Sequence, residues 1–138
     1  MSATFIMDAC ALIAFLNKES GMEVVDDILM DALLNKASII MNKLNLLEVY
    51  YDVYRRCGER SASDFLETVA GTPINIKPEI TDAVLKEAGR LKASYKISIA
   101  DSVALAEASV SGGTLLTSDH HELDLIENAE AIKIRWIR

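Results

Sequence analysis

Two acids in the chain follow short apolar runs, and two more lie inside segments with helical spacing. Asp8 closes the run TFIM at 4–7, and Asp119 follows TLLT at 114–117 with Ser118 between them. Asp101 lies in ISIADSVALAEA, three residues after Ser98, and Glu48 lies inside NLLEVYYDVYRR. Carboxylates are hard oxygen donors, and a group of them suits Mg²⁺ or Mn²⁺ with water completing the octahedron. An ion held this way activates water and steadies phosphate oxygens, which is the chemistry of phosphodiester hydrolysis.

Each acid also has a plainer reading. Asp8 and Asp119 suit helix N-caps, and S-I-A-D from Ser98 to Asp101 matches a capping box. Glu48 shares a helical stripe with Asn45, Asp52 and Arg55, either a solvated face with Asp52 paired to Arg56 or the wall of a cleft. Asp101 begins a face made of Ala104, Leu105 and Ala108, which should be packed, so its carboxylate needs a partner. His120 and His121 are adjacent and point in different directions. With Cys10 and Cys57 they lack the paired spacing of a zinc site, and they read as bystanders at the rim of a pocket or as exposed residues.

The elements that must position these acids follow from periodicity. Short apolar runs at 4–7, 38–41 (SIIM), 74–77 (INIK, closed by Pro78) and 114–117 predict buried strands. In AIKIRWI, Ile132, Ile134 and Trp136 alternate with Lys133 and Arg135, which predicts an edge strand with one solvated face. Helices are expected over ACALIAFL, over 21–35 with Met22, Val25, Leu29, Ala32 and Leu33 inward, and from about Leu44 to Cys57. Further helices are expected from about Ser61 to Ala70, over 79–94 with Ile80, Val84, Leu85, Ala88 and Leu91 inward, and from Ser98 to about Val110. A short polar turn or helix precedes the last strand. Strands separated by helices give an α/β fold: a three-layer α/β/α sandwich around a mainly parallel sheet. Ligands of such sheets bind outside the carboxyl ends of the strands, the edge that Asp8 and Asp119 would share.

The 138 residues suffice for one domain with a core, and 51% hydrophobic with 25% charged residues is ordinary globular composition. No run approaches the roughly 20 apolar residues of a membrane span. The run after Met7 has no basic residues before it and is broken by Asp8, so no signal peptide is expected, and two reduced thiols suit a cytoplasmic protein. A net charge of −7 argues against broad attraction to nucleic acid, although clustered acids holding a cation would reverse the sign locally.

MDACALIAFL, NLLEVYYDVYRR, ISIADSVALAEA and GGTLLTSDHHEL, in this order and spacing, resemble the four motif blocks of the PIN domain, particularly the VapC-like toxin ribonucleases. The resemblance covers nearly the whole chain as a single domain. It implies a PIN-like α/β/α sandwich whose acids Asp8, Glu48, Asp101 and Asp119 meet in one pocket as metal ligands and catalytic groups. The family's hydroxyl residue before the last acid falls on Ser118, which would orient a ligand. Cys10 departs from the small hydroxyl residue that many members carry. The resemblance further implies an RNA substrate, a homodimer, and a small antitoxin protein that would wrap the domain and occlude its pocket.

Four ionised carboxylates in one pocket repel. At about 5 Å and an effective dielectric near 20, each pair costs roughly 3 kcal/mol. Some of the acids must therefore take up protons, or a divalent cation must neutralise them. Candidate RNA contacts are Arg55, Arg56 and Arg60, then Lys86, Arg90, Lys92 and Lys96, all equally readable as solvated helix faces. Tyr50, Tyr51 and Tyr54 could stack bases, or serve as core or dimer contacts. Other acid-lined α/β domains fit less well: D-A-C at 8–10 lacks both the paired acids of a receiver phosphoacceptor and the D-x-D of a HAD-type phosphatase. A PIN-fold module that binds protein without catalysis is the main rival.

Overall fold

The computed structural model describes residues 3–138, except the side chain of Glu122. Its strands are β1 (Ala3–Met7), β2 (Ala37–Asn42), β3 (Ile74–Lys77), β4 (Thr114–Thr117) and β5 (Lys133–Trp136). Its helices are α1 (Ala9–Leu16), α2 (Met22–Leu33), α3 (Lys43–Cys57), α4 (Glu59–Ala70), α5 (Asp82–Ser94), α6 (Ile99–Ser111) and α7 (His120–Ala129). All pairings in the sheet are parallel, in the order β3-β2-β1-β4-β5. Among the described residues no helix is long and apolar enough to cross a membrane.

Successive residues of a strand face opposite layers, and the two cores record this. Met7 and Leu116 pack below α1 to α4 with Leu12, Met41 and Val49. Ile6 and Leu115 pack under α5 to α7 with Leu91, Leu105 and Ile126. This is the expected three-layer α/β/α sandwich, with β5 as an edge strand whose Lys133 and Arg135 are exposed.

Several helix limits differ from the periodicity. Gly58 has φ 91°, so it ends α3 and opens α4 in one residue, and α4 starts at Glu59 rather than Ser61. Thr81 caps α5 by accepting from the Val84 N–H at 3.3 Å, which leaves Ile80 outside the helix. Leu33 and Leu85, expected inside, are 60% and 59% exposed. Gly21, with φ 97°, brings the start of α2 against the C-terminal strand's exit, and a Cβ there would lie 2.5 Å from the Ile137 carbonyl oxygen. Cys10 and Cys57 are both free thiols.

Candidate functional site

The strand order reverses direction between β1 and β4, which makes that edge the switch point where open α/β sheets bind ligands. Met7 pairs with Leu116, and the Asp8 N–H reaches the Leu116 carbonyl at 3.4 Å. Asp8 and the segment 117–119 therefore leave adjacent strands side by side. Helices α3 and α6 bring the other two acids to the same edge.

A cleft of about 410 Å³ opens there, with Glu48, Asp101, Asp119, Cys10 and Tyr51 among its lining. Asp8 lies beneath it, 1% exposed. The capping reading of Asp8 is observed and uses one oxygen only: Oδ1 accepts from the Ala11 N–H at 2.9 Å and caps α1, while Oδ2 is buried with no hydrogen-bond partner. Burial pushes the Asp8 carboxyl up to about 7, and the charges of Asp119 and Glu48 reinforce the rise. The Thr117 hydroxyl and the Ala11 amide act against it. The half-buried Cys10 thiol is pushed up to about 12, first by burial and then by Asp8, Asp119, Asp101 and Glu48, so one sulfur senses all four acids.

The supports of these acids are polar, and two of them, Asn42 and Asn45, are buried. Ser98 caps α6 by accepting from the Asp101 N–H at 3.0 Å, as the S-I-A-D pattern predicts, and Ala104, Leu105 and Ala108 behind Asp101 are packed. Asn45, on the stripe of Glu48, is fully buried and donates to the Ala100 carbonyl at 3.0 Å; its Oδ1 has no partner. Asn42 caps α3 through the Leu44 N–H and donates to Glu107 Oε2 at 2.8 Å. Both asparagines thus tie α3, which carries Glu48, to α6, which carries Asp101.

Sequence reasoning missed Thr117, Asn42 and Glu107. Thr117 is fully buried, and its Oγ1 accepts from the Asp119 N–H at 3.0 Å. No local signal marks it: only the pairing of Met7 with Leu116 puts Thr117 level with Asp8. Ser118 sits half-buried beside it. His120 lies outside the cleft, stacked on Trp136 at 3.9 Å between ring centroids and bonded to Asp124 and the Arg138 carbonyl. Among the candidate RNA contacts, Arg55 and Arg56 pair with Asp52, and Arg90 with Glu87 and Glu130.

Among the described residues, no three His, Cys, Asp or Glu side chains are grouped closely enough to grip a metal ion as they stand. The donor set nevertheless fits a hard divalent cation. It is oxygen-rich, it is negative, and the Asp8 Oδ2 is a buried acceptor awaiting a partner.

A family model described as the PIN domain matches residues 5–128. Solved structures share the fold. A toxin–antitoxin complex from Klebsiella pneumoniae aligns with a TM-score of 0.65 at 19% identity, covering 99% of this chain and 98% of that one. VapBC2 from Rickettsia felis, bound to a DNA fragment from its promoter, aligns at 0.72 and 12% identity, covering 96% and 97%. VapC20 of Mycobacterium tuberculosis, a toxin that cleaves the sarcin-ricin loop, aligns at 0.59 and 16% identity, covering 80% and 86%. No curated protein matches.

Proposed function

The chain belongs to the PIN domain family, and on that premise we propose that it is a Mg²⁺- or Mn²⁺-dependent endoribonuclease, the toxin of a toxin–antitoxin pair. The observation that carries this reading is the gathering of acids from four separate segments at the switch point of the sheet, around a buried carboxylate with an unpartnered oxygen.

Asp8, Glu48, Asp101 and Asp119 would hold the cation. Bound there, it would supply positive charge to attract a phosphodiester oxygen and make nearby water more acidic. Asp8 contributes a negative charge whose position is set by the α1 cap and by Thr117. Glu48, the most exposed of the four, is the carboxylate with ready access to solvent for taking a proton from the attacking water. Ser118, next to Asp119, would orient the bound phosphate. The α3–α6 ties through Asn42 and Asn45 keep Glu48 and Asp101 in register.

The neighbouring toxin–antitoxin complexes support a small antitoxin protein as partner, and a cytoplasmic homodimer completes the proposal. An apolar hollow of about 170 Å³ between α3 and α4, lined by Leu47 and Leu66, offers a protein partner somewhere to dock. That hollow also favours the second reading, a PIN-fold protein-binding module without catalysis.

The deciding experiment compares wild type with Asp8→Asn and Asp101→Asn on structured RNA, with Mg²⁺ or Mn²⁺ and with EDTA. Cleavage is expected from the wild type with metal alone. Equal cleavage by the variants, or in chelator, would overturn the mechanism, and a wild type that binds partner protein but never cuts RNA would favour the binding module.

A further inference from the structure

We propose that Trp136, Ile137 and Arg138, at the exit of β5, form a strap that positions Asp119 by way of His120. His120 is then a positioning residue of the acid site and not a bystander at its rim. The inference rests on the nuclease reading and adds how one of that site's carboxylates is held in place.

Asp119 stands on a short bridge. β4 ends at Thr117 and α7 begins at His120, so only Ser118 and Asp119 lie between the two elements. The strap grips both ends of that bridge. At one end the Ile137 N–H donates to the Thr117 carbonyl at 3.0 Å, while Thr117 Oγ1 accepts from the Asp119 N–H at 3.0 Å. At the other, the His120 ring lies on Trp136, with 3.9 Å between centroids and 16° between planes, and its Nε2 bonds the Arg138 carbonyl at 2.8 Å. Nδ1 bonds Asp124 Oδ1 at 2.7 Å, one turn along α7. With both ring nitrogens committed, His120 has no polar group left to offer a substrate. What it fixes is the backbone beside Asp119.

The strap is itself anchored. The Arg138 guanidinium donates to the Ser20 carbonyl at 2.8 Å and to Glu19 Oε1 at 3.3 Å, and the Trp136 indole N–H donates to Glu127 Oε1 at 3.2 Å. Gly21 in the same loop admits the Ile137 carbonyl where a Cβ would stand 2.5 Å from its oxygen. These ties join the bridge that bears Asp119 to the loop that follows α1, the helix that Asp8 caps. Such anchoring matters to chemistry, because misplacing a catalytic group by about 1 Å can cost on the order of a hundred-fold in rate.

The test uses two variants. His120→Phe keeps a stacked ring and loses both nitrogen bonds, and Arg138→Met frees the strap from Glu19 and Ser20 while leaving His120 intact. Amide hydrogen exchange is read by NMR in the metal-free protein, and Mn²⁺ affinity by calorimetry. Both variants should speed exchange at the Asp119 amide and weaken Mn²⁺ binding by about ten-fold. In RNA cleavage kcat should fall while KM stays near the wild-type value. Glu130→Ala, which removes the ties to Arg90 and Tyr95 just beyond the far end of α7, should leave Asp119 exchange and Mn²⁺ affinity unchanged.

Unchanged Asp119 exchange or Mn²⁺ affinity in His120→Phe would overturn the strap, as would an Arg138→Met protein that matches wild type in both. So would an equal loss in Glu130→Ala, since the effect would then be a general loosening of α7. Mn²⁺ binding abolished by Asp101→Asn yet indifferent to His120→Phe sinks the strap and leaves the nuclease standing. His120-dependent Mn²⁺ binding in a protein that never cuts RNA does the reverse.

Discussion

The side-chain amide of Asn45 donates to the carbonyl oxygen of Ala100 at 3.0 Å, which joins the helix carrying Glu48 to the residue beside Asp101. Both residues are buried, so the bond sets the spacing of two acids that lie 53 residues apart in sequence (101 − 48). Asn45→Leu keeps the volume and leaves the Ala100 carbonyl without its donor. A loss of about 1–3 kcal/mol is expected in urea unfolding. Calorimetry should also show weaker Mn²⁺ binding, and unchanged Mn²⁺ affinity would mean that the tie supports the fold alone.

The Asp8 carboxyl, pushed up to about 7 by burial, makes the metal-free protein sensitive to pH. Below the ordinary carboxylate value of 3.8 the group is protonated whether the chain is folded or not. Between there and about 7 the folded state binds more protons, so stability falls as pH rises through that window. The loss is on the order of 4 kcal/mol when complete. Melting temperatures in EDTA should therefore drop from pH 4 to pH 8 more steeply for wild type than for Asp8→Asn, and Mg²⁺ should recover wild-type stability at the upper end. Parallel profiles for the two proteins would show that Asp8 is not the responsible group.

Thr117 holds the Asp119 N–H and lowers the Asp8 pKa from the neighbouring strand. Thr117→Val preserves shape and removes both effects. The Asp8 carboxyl should then titrate above its wild-type position in a carbon-detected NMR titration of the metal-free protein. A titration that stays put would place the hydroxyl out of reach of Asp8.

Much of the fold could be read before any coordinates. Continuous apolar runs such as TLLT mark strands covered on both faces, and the alternation through Ile134 and Trp136 marks the edge. Both patterns are local and follow from which side of the backbone meets the core. The helix errors were also local. Leu33 and Leu85 fit an apolar stripe by spacing, yet nothing in the described chain covers them well, because periodicity records what a helix could bury rather than what packs on it.

The candidate acids were legible one by one as residues, and only the resemblance to a family implied that they meet in one pocket. Asp8 and Asp119 stood out because they follow apolar runs, and Asp101 because it stands three residues after the helix cap Ser98 and begins an apolar face. Thr117 was invisible inside a strand run, and Asn45 lay on a polar stripe that read equally as a solvated face or the wall of a cleft. Nor could the sequence separate Tyr51 from Tyr50 and Tyr54.

By itself, then, the sequence determined the elements, their alternation and the acids at their ends, since propensity and burial pattern act over a few residues at a time. The tertiary structure alone decided that β4 lies against β1, that Asp8 is sealed beneath the cleft while Glu48 reaches water, and that α3 is tied to α6 by Asn42 and Asn45. Those outcomes depend on pairing and packing between segments far apart in the chain, where the free energy belongs to the assembled layers and to no single segment.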